Sequence, residues 1–403
     1  MPSRRHVLLS LGAAAGAGCL AGSDPGDGAE TNGTPVPPDE RPDPSRHVSG
    51  SDGRWSSRGF DGANTRWVQE GPVPANGVEE RWQREVGFRE TEPIVADSRL
   101  YDVGEELHVL DAETGEELWA APTDRGLTPL VFEDVVYHVD DEWSLVARDV
   151  ETGELRWEGG PGVRTSPASV DGRRLFVGDG ETLRCVDAET GEEEWSRELF
   201  GRINDGIAVW MASAAVVTTE AGRVYGVSDA GAGVFEHALP ARTEAAPTVG
   251  KEYVYVGAMD GSVYAIDPSG TGDGFRAWST SVGGFGGRDG LAYDRERVYA
   301  AAGRDLVALD AESGAESWST SLGESARTAP LVAGDTVFVG GESLFAFDRS
   351  GGTGIGPLRF GTERFSETYG ESVGRGPVLN DGVLYTYAFT DGNTQSLLAL
   401  EPA

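Results

Sequence analysis

Lysine is almost missing from this chain of 403 residues. Lys251 is the only one, which leaves 32 arginines to carry the positive charge against 67 carboxylates, for a formal net charge of −34. So acidic a chain lacks the basic footprint that nucleic acid requires. Cysteine is nearly as scarce: Cys19 and Cys185 are too few for a disulfide framework. The five histidines, His6, His47, His108, His138 and His237, show no metal-ligand spacing and have no cysteine pair to join them. No run of eighteen apolar residues occurs, which excludes a polytopic membrane protein.

What the chain has in quantity is turn formers and aromatics. Its 58 glycines and 21 prolines punctuate it densely, while 10 Trp, 11 Tyr and 14 Phe supply the large apolar side chains that a disordered chain lacks. A many-turned, all-β protein follows. The carboxylate excess with almost no lysine resembles proteins of extreme halophiles, whose self-repelling acidic surface is screened by molar salt, and points to a haloarchaeal source.

The chain opens with Arg4-Arg5 before a short apolar run from Val7, too short to span a bilayer, that ends at Ala17-Gly18-Cys19. This resembles a twin-arginine lipoprotein signal over residues 1–18, with export through Arg4 and Arg5 and lipidation at Cys19. Gly16 departs from the pattern, which usually has leucine there. Residues 19–53, with Pro25, Pro35, Pro37, Pro38, Pro42 and Pro44 among Ser, Thr, Gly, Asp and Glu, read as a disordered acidic tether. The expected location is the outer face of the cytoplasmic membrane.

Residues 54–403 repeat themselves. The clearest copy sets Ala308, Asp310, Gly314 and Trp318 at fixed spacing, matched by Val109-Asp111-Gly115-Trp119, Ala147-Asp149-Gly153-Trp157 and Cys185-Asp187-Gly191-Trp195. Looser copies follow Asp229, Asp267 and Asp348. Each reads as a strand, a tight turn in which glycine takes positive φ, and a strand carrying the Trp. Two further strands precede each turn. Pro93, Pro129, Pro167, Pro247, Pro330 and Pro377, with Gly206-Ile207 and Gly290-Leu291, mark eight inner strands at intervals of about 40 residues, the size of a propeller blade. The last unit stops after three strands, and Glu80-Arg81-Trp82-Gln83 belongs to no unit, so it is expected to supply the fourth. The expected fold is an eight-bladed β-propeller of four-stranded antiparallel blades, closed by an N-terminal strand.

The Ala308–Trp318 spacing resembles the tryptophan-docking motif of quinoprotein alcohol dehydrogenases and of the wider family of PQQ-like propeller repeats, which includes the lipoprotein of the outer-membrane β-barrel assembly machinery. The opening Trp55-Ser-Ser-Arg-Gly-Phe-Asp-Gly-Ala-Asn64 is similar to the family's entry segment. The resemblance implies either a PQQ-dependent dehydrogenase or a non-catalytic binding scaffold. The dehydrogenases of the family place PQQ at the propeller mouth with calcium, a catalytic Asp and usually adjacent cysteines. This chain has no cysteine pair and no insertions long enough for the calcium ligands, so the expectation is a non-enzymatic, lipid-anchored, monomeric scaffold without cofactor or metal. Its partners are expected among exported or membrane proteins or anionic ligands.

Other candidates reduce to architecture. Trp82, Trp119, Trp157, Trp195 and Trp318 share one repeat position and are assigned to interblade packing, and Cys185 to the small slot that Ala147 and Ala308 occupy. The Asp-Gly pairs at 171, 260, 381 and 391 are read as hairpin turns rather than calcium loops, and the glycine clusters 283–287 and 352–356 lack the lysine of a phosphate loop. What remains is an arginine before every inner strand: Arg89, Arg125, Arg164, Arg202, Arg242, Arg288, Arg327 and Arg375. The loops bearing them are expected to gather around one channel mouth. There they either bind a carboxylate, a phosphate or an acidic peptide, or pair with acids such as Glu92 and Asp289 and hold the blades in register.

Overall fold

The computed structural model describes residues 55–403 apart from 124–125, 160–161, 170–171, 211–213, 271, 285–289, 356–357 and 392–393. The signal and lipidation residues Arg4, Arg5 and Cys19, the tether, and Arg125 and Arg288 therefore lie outside the described residues.

Alternating apolar residues bounded by Gly-containing turns produce short strands, and these group into eight antiparallel blades arranged in a ring, an eight-bladed β-propeller. The inner strands are Ile94–Ala96, Leu130–Phe132, Ala168–Ser169, Ala208–Trp210, Thr248–Val249, Ala292–Tyr293, Leu331–Ala333 and Val378–Asn380, and number blades 1 to 8. Blade 8 runs outward through Val383–Asp391 and Thr394–Pro402 and is completed by Val78–Val86, with Trp82 opposite Ala399 and Gln83 opposite Leu398. The ring is closed by an N-terminal strand longer than the four residues read from the sequence.

The packing rule of the ring is the same in every blade. The outer strand carries an aromatic opposite a small residue or valine of the third strand: Trp119 opposite Val109, Trp157 opposite Ala147, Trp195 opposite Cys185, Trp318 opposite Ala308. Trp278 opposite Ala265, Phe235 opposite Gly226 and Phe365 opposite Ala346 complete the set. The indole then docks on the turn of the next blade. Trp82 Nε1 donates to Ala112 O, Trp119 to Val150 O, Trp157 to Ala188 O, Trp195 to Asp229 O, Trp278 to Ala311 O and Trp318 to Arg349 O, at 2.8–3.1 Å. A glycine makes room: a Cβ at Gly314 would sit 2.5 Å from the Trp278 ring, and at Gly153 2.8 Å from Trp119, besides the positive φ of about 71° at both. Cys185 is fully buried against this packing, and burial together with the Glu194 charge pushes its thiol up to about 12, so it is structural. The Asp381-Gly382 turn has positive φ at both residues, as a two-residue hairpin needs.

Antiparallel alternation assigns the loops to two faces. Turns from third to outer strand lie on one, here the turn face. Loops from each outer strand to the next inner strand, and from second to third strand, lie on the other, the mouth face.

Candidate functional site

The central channel is occupied by the chain's own entry segment. Residues 55–68 are buried except for half-buried Arg58, and their carbonyls accept the inner-strand N–H groups of six blades in turn. Val95 N donates to Trp55 O, Val131 N to Ser56 O, Val209 N to Gly62 O, Val249 N to Ala63 O, Tyr293 N to Thr65 O and Val332 N to Arg66 O, at 2.5–2.9 Å. Trp67 and Val68 then pair in parallel with Val332 and Ala333. The segment keeps its coil by internal bonds, Asp61 Oδ1 accepting from Ala63 N and Thr65 N, and Asn64, at φ 56°, ties it to the ring by donating to Gly206 O and Pro247 O. Two ion pairs fasten it to mouth-face loops, Arg66 to Glu92 and Arg58 to Asp205, both at 2.7 Å. The sequence marks this segment only as an entry motif. Its role is invisible there because the bonds are backbone carbonyls meeting backbone amides, without periodicity.

Above the plug, the outer-to-inner loops bring the predicted arginines into different environments. Arg89 is buried and forks onto Asp102 of the second strand of blade 1, Nε to Oδ1 at 2.5 Å and a terminal nitrogen to Oδ2 at 2.7 Å. Tyr387 Oη of blade 8 donates to the same carboxylate at 2.7 Å, and Arg89 N donates to Gln395 Oε1. Burial opposes the Arg89 charge, but Asp102 outweighs it and holds the guanidinium pKa above its ordinary value. Its partner is Asp102 and not Glu92, which Arg66 and the Gly59 amide occupy.

The other described arginines sit nearer solvent. Arg164 is exposed, with its guanidinium 3.5 Å from the centroid of Trp143. Arg202 and Arg242 share Glu220: Arg202 Nε lies 3.9 Å from its carboxylate, and Arg242 Nε donates to its carbonyl at 3.1 Å. Arg327, Arg375 and Arg89 come together in one cavity of about 420 Å³ spanning blades 6, 7, 8 and 1, with Phe88, Phe389, Gln395 and Thr328 in the wall. The structure thus gathers three of the predicted arginines in one cavity and leaves Arg164, Arg202 and Arg242 elsewhere on the rim. Sequence reading missed the plug pairs of Arg58 and Arg66, exposed Phe88 (65%) and Phe200 (40%) on the outer-to-inner loops, and exposed Met259 (42%) on the second-to-third-strand loop of blade 5.

Among the described residues, the cavity wall contains no carboxylate. Among the described residues no group of three or more His, Cys, Asp or Glu side chains could hold a metal ion, and no helix is long and apolar enough to cross a membrane. The calcium and catalytic Asp that accompany PQQ in quinoprotein dehydrogenases do not fit a wall whose described ionisable groups are all arginines.

The family model described as outer membrane protein assembly factor BamB matches residues 69–180, 159–205, 179–284 and 260–354. Solved structures with the same fold include BamB from Moraxella catarrhalis, 15% identical, with a TM-score of 0.61 over 81% of this chain and 98% of that one. Quinohemoprotein alcohol dehydrogenase ADHIIG from Pseudomonas putida HK5 is 14% identical, with a TM-score of 0.66 over 87% and 80%. A europium-containing methanol dehydrogenase is 10% identical, with a TM-score of 0.64 over 88% and 99%. At these identities the structures show the fold alone. No curated protein matches the sequence.

Proposed function

The chain belongs to the family of the outer membrane protein assembly factor BamB, and from that premise we propose that it is a non-catalytic scaffold that binds other proteins at its mouth face. The observation that carries this reading is the composition of that face. Phe88 and Phe200 stand exposed on the loops that carry Arg89 and Arg202, and Met259 on a neighbouring loop whose backbone bonds to Arg242, in a chain of net charge −34. Exposed aromatics, methionine and arginine are the residues in which protein interfaces are enriched. The channel interior, the other place where a propeller binds ligands, is filled by residues 55–68.

Export through Arg4 and Arg5 and a lipid at Cys19 belong to the same proposal and place the scaffold on the outer face of the cytoplasmic membrane, in molar salt. Without an outer membrane the assembly role of the bacterial relative has no substrate, so only its scaffold character transfers. The test is site-specific photo-crosslinking of the full, natively lipidated chain in molar salt. A crosslinker at Phe200 or Met259 is expected to capture defined exported or membrane proteins, and one at exposed Leu155 on the outer strand of blade 2 is not. Equal capture from all three positions, or from Leu155 alone, defeats the reading.

A further inference from the structure

The cavity over blades 6, 7, 8 and 1 has a chemical polarity. Among the described residues its ionisable wall groups are Arg89, Arg327 and Arg375. Arg89 is neutralised by Asp102, so the charge that faces a ligand centres on exposed Arg327, with Arg375 beside it. Phe88 forms one wall and Phe389 another. On the far side of Phe88 lies a second cavity of about 360 Å³ lined by Glu90, Glu105, Glu106 and His108, with Arg89 again in its wall. An anion is repelled there and drawn to the Arg327 side, so a ligand with one charged and one apolar end has a single favoured orientation across Phe88.

Shape also bears on the ligand. One planar carboxylate matches the exposed Arg327 guanidinium bidentately. A volume of about 420 Å³ lies in the ordinary range of ligand pockets and holds such a group with an adjoining apolar side chain. We propose that this cavity receives the side-chain carboxylate of an acidic residue next to an apolar one in an extended segment of a protein partner. The proposal rests on the scaffold reading and names the chemistry of its contact.

The probe is a capped tetrapeptide, Gly-Phe-Glu-Gly, titrated calorimetrically into the full chain in molar potassium chloride beside its Gln counterpart, phenylacetate and inorganic phosphate. The Glu peptide is expected to bind, and the Gln peptide to bind roughly tenfold more weakly or worse. Arg327→Gln and Phe88→Ala should each weaken the Glu peptide by a similar factor, while Arg164→Gln, at an exposed mouth arginine outside the cavity, should not. Equal binding of the Gln peptide, displacement by phosphate, or an equal loss in Arg164→Gln overturns the proposal. Binding of phenylacetate without the peptide overturns it in favour of a free acid. If crosslinks form from Phe200 or Met259 while the peptide fails to bind, the scaffold reading stands and this contact falls; if neither occurs, both fall.

Discussion

The two faces of this propeller use repetition differently. On the turn face, repeated residues make identical contacts. Asp111, Asp149 and Asp187 each accept two amides of their own turn on Oδ1 at 2.8–3.0 Å, and each following glycine donates back to the Asp carbonyl. On the mouth face, the repeated arginine meets a carboxylate fork in blade 1, a tryptophan face in blade 3, a shared glutamate in blades 4 and 5, and a cavity in blade 7. A position whose environment recurs is held by the architecture. A position whose residue recurs while its surroundings diverge answers to local demands, and each arginine has to be judged separately.

The sharpest break of this comparison removes what both faces depend on. Deleting residues 55–86 strips the plug from six inner strands and the outer strand from blade 8, exposing the edge of Thr394–Pro402. The expected outcome is loss of the single cooperative thermal transition with aggregation, read by calorimetry and size exclusion, while deletion of residues 20–50 leaves both unchanged. A monomeric product with an unaltered melting temperature would show that neither strand nor plug closes the ring.

Next come single residues fixed on each face. Trp318→Ala removes a 1% exposed indole and its bond to Arg349 O and should cost about 3–5 kcal/mol. On the mouth face only Arg89 should behave alike. Arg89→Gln strands Asp102 without its cation in the core and should cost about 3–5 kcal/mol. Denaturant titration checks both, and a loss below about 1 kcal/mol for Arg89→Gln would put Arg89 among the adaptable arginines.

The contrast also explains what could be read from sequence. Blade number, closure by the strand around Trp82 and the packing role of the tryptophans were legible because each depends on spacing that recurs. Trp278 escaped because the turn before it is lengthened by Gly272–Phe275, so its distance from Asp267 differs from the 310-to-318 spacing. Phe235 and Phe365 escaped because they replace Trp at the same register. The plug and the Arg89–Asp102–Tyr387 cluster were not legible, since they join residues up to 285 positions apart with no motif between them.

A smaller effect comes from His138, buried in blade 2, whose Nε2 accepts from Arg148 Nε at 3.2 Å. Burial and the Arg148 charge lower its pKa to about 3. The unfolded chain takes up a proton near pH 6.5 that the folded one refuses, so stability is full above that pH and is lost as pH falls toward 3. The slope is about 1.4 kcal/mol per pH unit, or about 2 kcal/mol at pH 5. Asp149, lowered to about 2 by Arg156 and its turn amides, loses its contribution only below about pH 4 and so leaves the range from pH 7 to 5 untouched. His138→Gln keeps an acceptor for Arg148 and should remove its share of the slope between pH 7 and 5, leaving that of His237, which burial lowers to about 4; an unchanged slope would assign the acid loss elsewhere.

The smallest expected effect separates the adaptable arginines from the fixed one. Arg327 is exposed and contributes its backbone N–H to Gly340 O, a bond that survives replacement of the side chain. Arg327→Gln should therefore change stability by no more than about 0.5 kcal/mol. Arg164→Gln loses the stack on Trp143 and should cost about 0.5–1 kcal/mol, because cation–π contacts at exposed sites are worth that much. The order Arg89, then Arg164, then Arg327 in matched denaturant titrations follows from burial and partner alone. If Arg327→Gln instead destabilises as much as Arg89→Gln, the mouth arginines form one architectural set like the turn-face aspartates, and the distinction between the two faces disappears.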